Sequence, residues 1–439
     1  MTAITLPFLT LFDAGDKTEG ALDPLGLATT GDRLANWILP GLTARMSRPR
    51  FLTAMAVASA VCDGLEEETA SDHLTPACIV FEWLLVEGFA RCGKPDAIKR
   101  TPGIDKARAT VAAQLPMSAT HYLKTPGVFG FHGVYSRLAR HLGLLDEAYR
   151  LRDSGYELVK IWEQEEQLDG FIAALSRGTS SGSRQALRAA VEDGLQAGYS
   201  KRSTTWQGWA FFAGHLTPAR IGKREAAFIR QLLCDPGGDR REEIFQLMEQ
   251  LSGVAGASES SEAAIVERLL PHASHELARR FETIKAYEQV CGLIEDAFDW
   301  LRYLSSQAGT RALRRDDFAS HHGVSEIAEV MPKGWRVAGA LLDDAPPQAQ
   351  REFAALARFF DDADSGESLF EALLARHAHI QRAKPPEGKR EWFERAADGS
   401  LFVRPLYRLD EPPRERDDWS RPYRMHTVMS FCRDLQNAG

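Results

Sequence analysis

Residues 127–145 read GVFGFHGVYSRLARHLGLL, and this stretch decides how the middle of the chain folds. Val134, Leu138 and Leu142 recur at a spacing of four residues, so they share one face of a helix predicted over Val134–Leu142. The residues Gly143-Leu-Leu-Asp146 that follow read as a helix stop leading into a short extended piece. An amphipathic pattern then runs from Tyr156 to Glu166. The sequence therefore predicts a helix, a tight hairpin and a second helix over residues 127–167.

The polar residues of the first of these helices are expected largely on its other faces, and they include Tyr135, Ser136, Arg137, Arg140 and His141. From Gly88 to Leu145 the chain has nine basic and two acidic residues, a net charge of +7. Clustered cations are what phosphate contacts require. We therefore predict nucleic-acid contacts from a set of polar and basic side chains: Lys124, Ser136, Arg137, Arg140, His141, Arg150 and Arg152. The alternative is a structural unit that docks a protein.

The whole chain has 439 residues, 44% of them hydrophobic and 26% charged, with a formal net charge of −8. This balance predicts two or three folded domains and excludes both a disordered chain and a globally basic nucleic-acid wrapper. Helical periodicity dominates, and the longest predicted helix spans residues 275–306. Asp398-Gly399 predicts a C-terminal β-hairpin, because glycine accepts the positive φ of a tight turn. The expected fold is mainly α, with helical bundles and this hairpin.

The order of elements after Gly127 resembles bacterial winged-helix domains, in which a helix ending in LGLLD leads through a tight hairpin to L-x-x-x-G-x-x-L. Here that last signature is Leu151-Arg-Asp-Ser-Gly155-Tyr-Glu-Leu158. The resemblance implies a winged-helix-like unit. We accordingly expect four segments: 1–115, a helical domain; 116–178, the winged-helix-like unit; 184–385, a helical bundle; and 386–439, the hairpin and tail. Polar or proline-bearing linkers are predicted at Gly178–Ser183, Asp235–Asp239 and Leu409–Asp418.

A second resemblance starts at Leu25-Gly-Leu and continues through Asp32-Arg-Leu-Ala-Asn-Trp-Ile-Leu-Pro-Gly-Leu-Thr43. It is similar to the opening of uncharacterised bacterial proteins that are encoded near restriction and antiphage genes, and the closing Arg421-Pro-Tyr-Arg424 fits the same outline. The resemblance implies a non-catalytic component of a defence complex with protein partners. Together with the basic segment, it predicts a nucleic-acid-binding or adaptor subunit for which DNA is a possible partner. A protein scaffold that docks a motor or nuclease, and an enzyme with an unrecognised motif, are the alternatives.

Three arginines, Arg45, Arg48 and Arg50, stand before a helix that starts near Pro49. Because the guanidinium fork grips phosphate or carboxylate with two hydrogen bonds, they are a candidate anion-binding site. The competing interpretation is that they cap the C-terminus of a predicted helix over Asp32–Leu39.

Catalytic motifs are not found. The chain has no P-loop, no G-x-S-x-G elbow and no G-x-G-x-x-G fingerprint, so we predict no catalytic residues and no cofactor. The histidine pairs His272/His275, His321/His322 and His377/His379 lack metal-ligand spacing, so no metal is predicted either. The six cysteines form no C-x-x-C pair, which favours reduced, buried thiols in a cytoplasmic protein. The apolar Met1–Phe12 lacks the basic region and cleavage site of a signal peptide, and no membrane span is predicted.

Overall fold

The computed structural model describes residues 23–172, 182–234, 241–252, 260–307, 312–384, 389–414, 416 and 418–438. Three sequence predictions concern residues outside these ranges: the apolar Met1–Phe12, the linker Asp235–Asp239, and most of the linker Gly178–Ser183. The prediction of a mainly α-helical protein with a C-terminal β-hairpin is confirmed.

The described helices are α1 (Ala28–Ile38), α2 (Phe51–Cys62), α3 (Ala77–Cys92), α4 (Ile104–Ala112), α5 (Pro126–Phe129), α6 (Phe131–His141), α7 (Asp153–Glu165), α8 (Gly182–Ala197), α9 (Gly208–His215), α10 (Lys223–Leu233), α11 (Arg241–Ser252), α12 (Glu262–Leu269), α13 (His275–Gln307), α14 (Arg315–Ala319), α15 (His322–Leu342), α16 (Pro347–Phe360), α17 (Gly366–Ala383) and α18 (Met425–Gln436). Short 3-10 turns lie at Leu270–His272 and Pro405–Tyr407, and the strands are β1 (Phe393–Arg395) and β2 (Leu401–Val403). In the described part of the chain, no helix combines the length and the apolar character that crossing a membrane requires.

The chain forms two compact units, each drawn from separate stretches of sequence. The first unit comprises Met1–Trp37 and Ser261–Tyr423, and the second comprises Ile38–Ser260 and Arg424–Gly439. The four segments expected from the sequence remain a prediction.

The core of the second unit is built on α2 and α3. Every residue of α2 is buried, and so are most residues of α3. A helix that is apolar all round must be covered on all sides. Around this pair pack α4, α6, α7, α8 and α9, while α18 packs on α10 and α11.

The predicted order of helix, tight hairpin and helix in residues 127–167 is confirmed. Helix α6 ends at His141, an antiparallel bridge joins Leu145 to Leu151, and α7 begins at Asp153. The backbone N–H of Arg152 donates to the carbonyl oxygen of Leu144 over 2.9 Å. Gly155 lies against the same carbonyl, because a Cβ built there would be 2.2 Å from the oxygen.

Tyr135 and Ser136, which the helical pattern places away from the apolar stripe of α6, are both buried, so Ser136 is not available for the predicted nucleic-acid contact. The Tyr135 hydroxyl accepts hydrogen bonds from the backbone N–H groups of Ser47 and Arg48, at 2.9 and 3.0 Å. Its ring lies 5.2 Å from the ring of Phe51, centroid to centroid. The loop that precedes α2 therefore covers a face of α6 that the helical pattern alone leaves open.

The first unit is a helical bundle around the long helix α13, which confirms the helix predicted over residues 275–306. With 33 residues, α13 is about 50 Å long. It packs against α15 and α17. Its apolar stripe, including Phe281, Ile294 and Leu301, is buried. The bundle interpretation of this helix is therefore correct, and it is not an exposed coiled-coil arm.

The predicted hairpin is also confirmed, with Glu394 paired to Phe402 and Gly399 at a φ of +81° in the turn.

His377 of α17 is hydrogen-bonded to the residue that precedes β1. Its Nδ1 lies 3.1 Å from the carbonyl oxygen of Pro24, and its Nε2 accepts the backbone N–H of Trp392 over 2.9 Å. Since a carbonyl only accepts and an amide N–H only donates, the ring is neutral and protonated on Nδ1.

We expect Gly155→Ala to lower the free energy of unfolding by about 1–3 kcal/mol, because the added methyl group meets the Leu144 carbonyl. Gly214→Ala, in α9, is the matched control, since a Cβ there has no neighbour within 4 Å. Removing a helical glycine at that open site should stabilise the protein by about 0.5–1 kcal/mol. Urea unfolding followed by circular dichroism measures both. Equal effects of the two substitutions would contradict the close approach at Gly155.

Burial lowers the pKa of His377 from 6.5 to about 4. Between about pH 6.5 and pH 4, His377 is protonated in the unfolded chain but neutral in the folded one. The free energy of unfolding therefore falls as the pH decreases through this range. The full loss is about 3 kcal/mol. The free energy of unfolding measured across this pH range should show a smaller slope for His377→Gln than for the wild type. His379→Gln, exposed on the same helix, should retain the wild-type slope, and a wild-type slope in both variants would refute this role.

Candidate nucleic-acid interface

The side chains predicted to bind nucleic acid do not form one cluster on α6. Arg137 and His141 are exposed, Ser136 is buried, and Arg140 pairs with Glu147 over 2.5 Å. Seven of the eleven residues of α6 are buried. A helix inserted in a groove needs a broad exposed face to reach several base edges. Helix α6 presents only a narrow edge at Arg137 and His141.

The remaining predicted residues lie on connections. Lys124, Arg150 and Arg152 are exposed. Arg150 stands 4.0 Å from Glu66, at the limit of an ion pair. Such exposed pairs contribute about 0–1 kcal/mol, so they leave the arginine able to meet another anion.

The three arginines before α2 do not share one anion site. Arg50 is 1% exposed, and its guanidinium lies 2.7 Å from Glu166 and 3.4 Å from Glu225. Arg48 pairs with Asp434 over 2.6 Å and is mostly buried. Only Arg45 faces solvent.

The capping interpretation fails as well. The carbonyl oxygen of Leu39, just after α1, accepts a hydrogen bond from Arg424 over 2.9 Å. Arg280 donates to the carbonyl of Trp37, in the last turn of α1, over 3.2 Å. The guanidinium groups at this end therefore come from Arg280 and Arg424 and not from Arg45, Arg48 or Arg50.

Arg45 instead lies over an exposed aromatic ring. Its guanidinium carbon is 4.6 Å from the centre of the Phe129 ring, and its Nη1 donates to the Val128 carbonyl over 3.4 Å. Val128 is 50% exposed and Phe129 is 49% exposed. Among the described residues, Arg45 forms no ion pair. The structure thus places an unneutralised cation beside two uncovered apolar side chains.

Helix α5 holds Phe129 outward because it is short and packs closely on α6. The backbone N–H groups of Val128 and Phe129 both donate to the carbonyl of Thr125 over 3.0 Å. Gly133 of α6 touches the α5 backbone, since a Cβ there would lie 2.3 Å from the carbonyl carbon of Gly127. A four-residue helix pressed against its neighbour in this way cannot bury all its apolar side chains. Lys124 stands just before it, and we call Arg45, Lys124, Val128 and Phe129 the Arg45–Phe129 surface.

A second basic loop is tied to the same region. The Ser47 hydroxyl donates to the carbonyl of Arg100 over 3.1 Å, and the Arg100 guanidinium donates to Ser430 over 3.2 Å. Ser430 in turn donates to the carbonyl of Ser47 over 2.7 Å. Ser47 is two residues from Arg45, so Lys99 and Arg100 are brought to the same part of the second unit.

Sequence reasoning predicted Arg45 and Lys124 here but missed Val128 and Phe129. The available signal was Pro126-Gly-Val-Phe-Gly130, in which two apolar residues sit between helix-breaking ones.

Sequence reasoning also missed the fully buried Glu82 of α3. The Glu82 carboxylate accepts hydrogen bonds from the Tyr122 hydroxyl over 3.0 Å and from the backbone N–H of His132 over 3.0 Å, and lies 3.1 Å from Nδ1 of His132. The signal in the sequence that could have identified Glu82 was a carboxylate residue within an otherwise apolar helical pattern.

The thiols and carboxylates of the described ranges do not assemble a metal cluster, since no group of three or more His, Cys, Asp or Glu residues is placed to hold an ion. All six cysteines are free. Burial raises the pKa of Cys62, and it raises that of Cys78 to about 12, so both are protonated thiols near neutral pH. The expectation that the cysteines are buried is wrong for Cys92, which is exposed.

We expect Arg50→Ala to lower the free energy of unfolding by about 3–5 kcal/mol, because it leaves Glu225 buried without its cation and leaves Glu166 with Arg220 as its only arginine partner in the described part of the chain. Arg45→Ala is the matched control and should change it by less than about 0.5 kcal/mol, since Arg45 is exposed. Urea unfolding at constant pH and salt compares the two. A small effect of Arg50→Ala would show that the buried pair is not needed for the fold.

The interface is thus defined by geometry and charge: an exposed ring, a cation above it and further cations on two adjoining loops. In comparisons with known proteins, no family model, no curated protein and no solved structure matches this chain.

Proposed function

We propose that this chain is a non-catalytic nucleic-acid-binding subunit that holds a single strand on the Arg45–Phe129 surface. The observation that carries the proposal is the Arg45 guanidinium over the half-exposed Phe129 ring. Every base has an aromatic face, so an exposed aromatic side chain binds unpaired bases with little regard to sequence. The Arg45 guanidinium lies over one face of the ring, which leaves the other face for a base, and it adds a contact to the neighbouring phosphate.

The charge distribution supports the same proposal. The chain as a whole is acidic, with a formal net charge of −8, whereas residues 88–145 carry +7. Lys99, Arg100 and Lys124 lie exposed in that segment. Several of its other cations are tied to carboxylates, as Arg91 is to Glu87. Lys99 pairs with Asp96 over 2.8 Å, an exposed pair that leaves it able to meet another anion, and the net positive charge of the segment favours a polyanion.

A single strand suits this surface better than a duplex read through its major groove. Helix α6 offers only Arg137 and His141 to a groove, and Ser136 is buried. The bases of a duplex are stacked and do not present their faces to Phe129. The winged-helix-like order of elements would then serve as the scaffold that holds α5 and the loop of Arg45. Arg137 would lie at the edge of the path that the bound single strand follows.

The resemblance of residues 25–43 to proteins encoded near restriction and antiphage genes supports placing this subunit in a bacterial defence complex. In such a complex a partner motor or nuclease would act on the strand that this subunit holds. The competing candidate is a scaffold that uses Val128 and Phe129 to contact a protein instead.

The test measures fluorescence anisotropy of a labelled oligothymidine strand, and of the same strand annealed to its complement, over a series of salt concentrations. We expect the single strand to bind more tightly than the duplex. Phe129→Ala should weaken single-strand binding about 5- to 150-fold, the loss of one stacked base. Arg45→Ala should lower the slope of log affinity against log salt by about 0.7, the value for one phosphate contact on a single strand.

The matched controls are Tyr156→Ala, an aromatic residue with 43% exposure on α7, and the exposed Arg351→Ala of the first unit. Both should bind like the wild type. Absence of binding by the wild-type protein, or equal affinities of the Phe129→Ala and Tyr156→Ala variants, would overturn the proposal and favour the scaffold.

A further inference from the structure

The second unit contains a cavity of about 260 Å³ that lies apart from the Arg45–Phe129 surface. It is bounded by α2, the start of α3, α6 and the tight turn between α6 and α7. Its lining is mostly apolar, with a few polar groups, and it includes Met55, Ser59, Cys78, His132, Leu145 and Tyr149. A dry cavity of about 150 Å³ is enough to bind benzene, so this one has room for one ring or two fused rings.

His132 supplies the directional polar group of this cavity. Its Nδ1 is held 3.1 Å from the buried carboxylate of Glu82, which lies behind it. The Tyr122 hydroxyl and the His132 backbone N–H also donate to that carboxylate, so Glu82 is well supplied with donors and fixes the imidazole. With Nδ1 occupied by Glu82, Nε2 is the ring nitrogen left to accept a hydrogen bond from a ligand.

Tyr149 forms the outer wall and is held there by its turn. The carboxylate of Asp146 accepts the backbone N–H groups of Ala148 and Arg150, at 2.8 and 2.9 Å, and the N–H of Tyr149 donates to the Asp146 carbonyl over 3.1 Å. Tyr149 has a φ of +60°, which a bulky residue adopts only when its surroundings impose it. The aromatic side chain is therefore positioned against the cavity before any ligand enters.

The charges around the cavity indicate an uncharged ligand. An anion would face Glu66 and Glu67 at the mouth and Glu82 behind His132. A cation would have to lose its water against apolar walls, while Glu66 already lies 4.0 Å from Arg150. An uncharged molecule avoids both the repulsion by these carboxylates and the loss of the hydration that a cation would have.

We infer that this cavity binds an uncharged, planar nitrogen heterocycle of one or two rings, which packs against Tyr149 and Leu145 and donates an N–H to Nε2 of His132. A flat ring packs well against Tyr149, and the Nε2 acceptor of His132 favours rings that carry an N–H group. This inference is independent of nucleic-acid binding by the Arg45–Phe129 surface.

The probes are indole and 1-methylindole, which share a shape but differ in the N–H group. Isothermal titration calorimetry of each probe into the protein reports occupancy of the cavity. We expect indole to bind in a saturable way, with one molecule per chain. Indole should bind about three- to tenfold more tightly than 1-methylindole, the effect of one hydrogen bond.

Ala148→Trp fills the mouth of the cavity from an exposed position on the turn, and the exposed Ala113→Trp, at the end of α4, is the matched control. Saturable binding of indole should disappear in the first variant and persist in the second. The wild-type comparison of the two probes does not depend on either variant folding. Lack of saturable indole binding, equal affinity for both probes, or indole binding retained in a folded Ala148→Trp protein would each overturn the inference.

Discussion

The second unit depends on one buried cation, the guanidinium of Arg50 at the start of α2. It contacts carboxylates from the end of α7 and the start of α10, Glu166 and Glu225, and donates to the carbonyl of His215 at the end of α9 over 3.0 Å. Four helices therefore meet at one side chain. Burying these charges is costly, and the cost is offset only when the hydrogen-bonding groups around them are also satisfied.

Neighbours from the same helices meet most of that condition, although Nε of Arg50 has no hydrogen-bond partner among the described residues. Thr53 donates to Glu225 over 2.5 Å, and the ring of His215 lies 2.9 Å from Glu166. Burial alone would raise the pKa of Glu166, but hydrogen bonds from His215 and Arg50 hold it below its ordinary value. Burial raises the pKa of Glu225, which is more deeply enclosed. The network thus ties the start of α2 to the ends of α7 and α9 and to the start of α10.

Local signals in the sequence were enough to predict the elements themselves. The long helix α13 followed from apolar residues at spacings of three and four, and the β1–β2 hairpin from Asp398-Gly399. The covered face of α6 could not be predicted in this way, because Tyr135 is buried by Ser47 and Arg48, nearly ninety residues earlier. The same holds for the candidate site. Arg45 and Lys124 were identified by their charge, but the ring beneath Arg45 belongs to a distant segment, and Arg50 was assigned to an anion site because its partner carboxylates are more than a hundred residues away.

The way the second unit draws on both parts of the chain has a consequence for its synthesis. Helix α18 supplies buried side chains to this unit, and through Asp434 and Ser430 it binds the loop that leads into α2. These residues are synthesised after residues 261–423 of the first unit, although most of the second unit is made before residue 260. A nascent chain that has completed α2 to α11 must therefore wait, with the α18 docking site uncovered, while residues 261–423 are translated. Proteins built in this way close such a unit only after the segment inserted within it has been made.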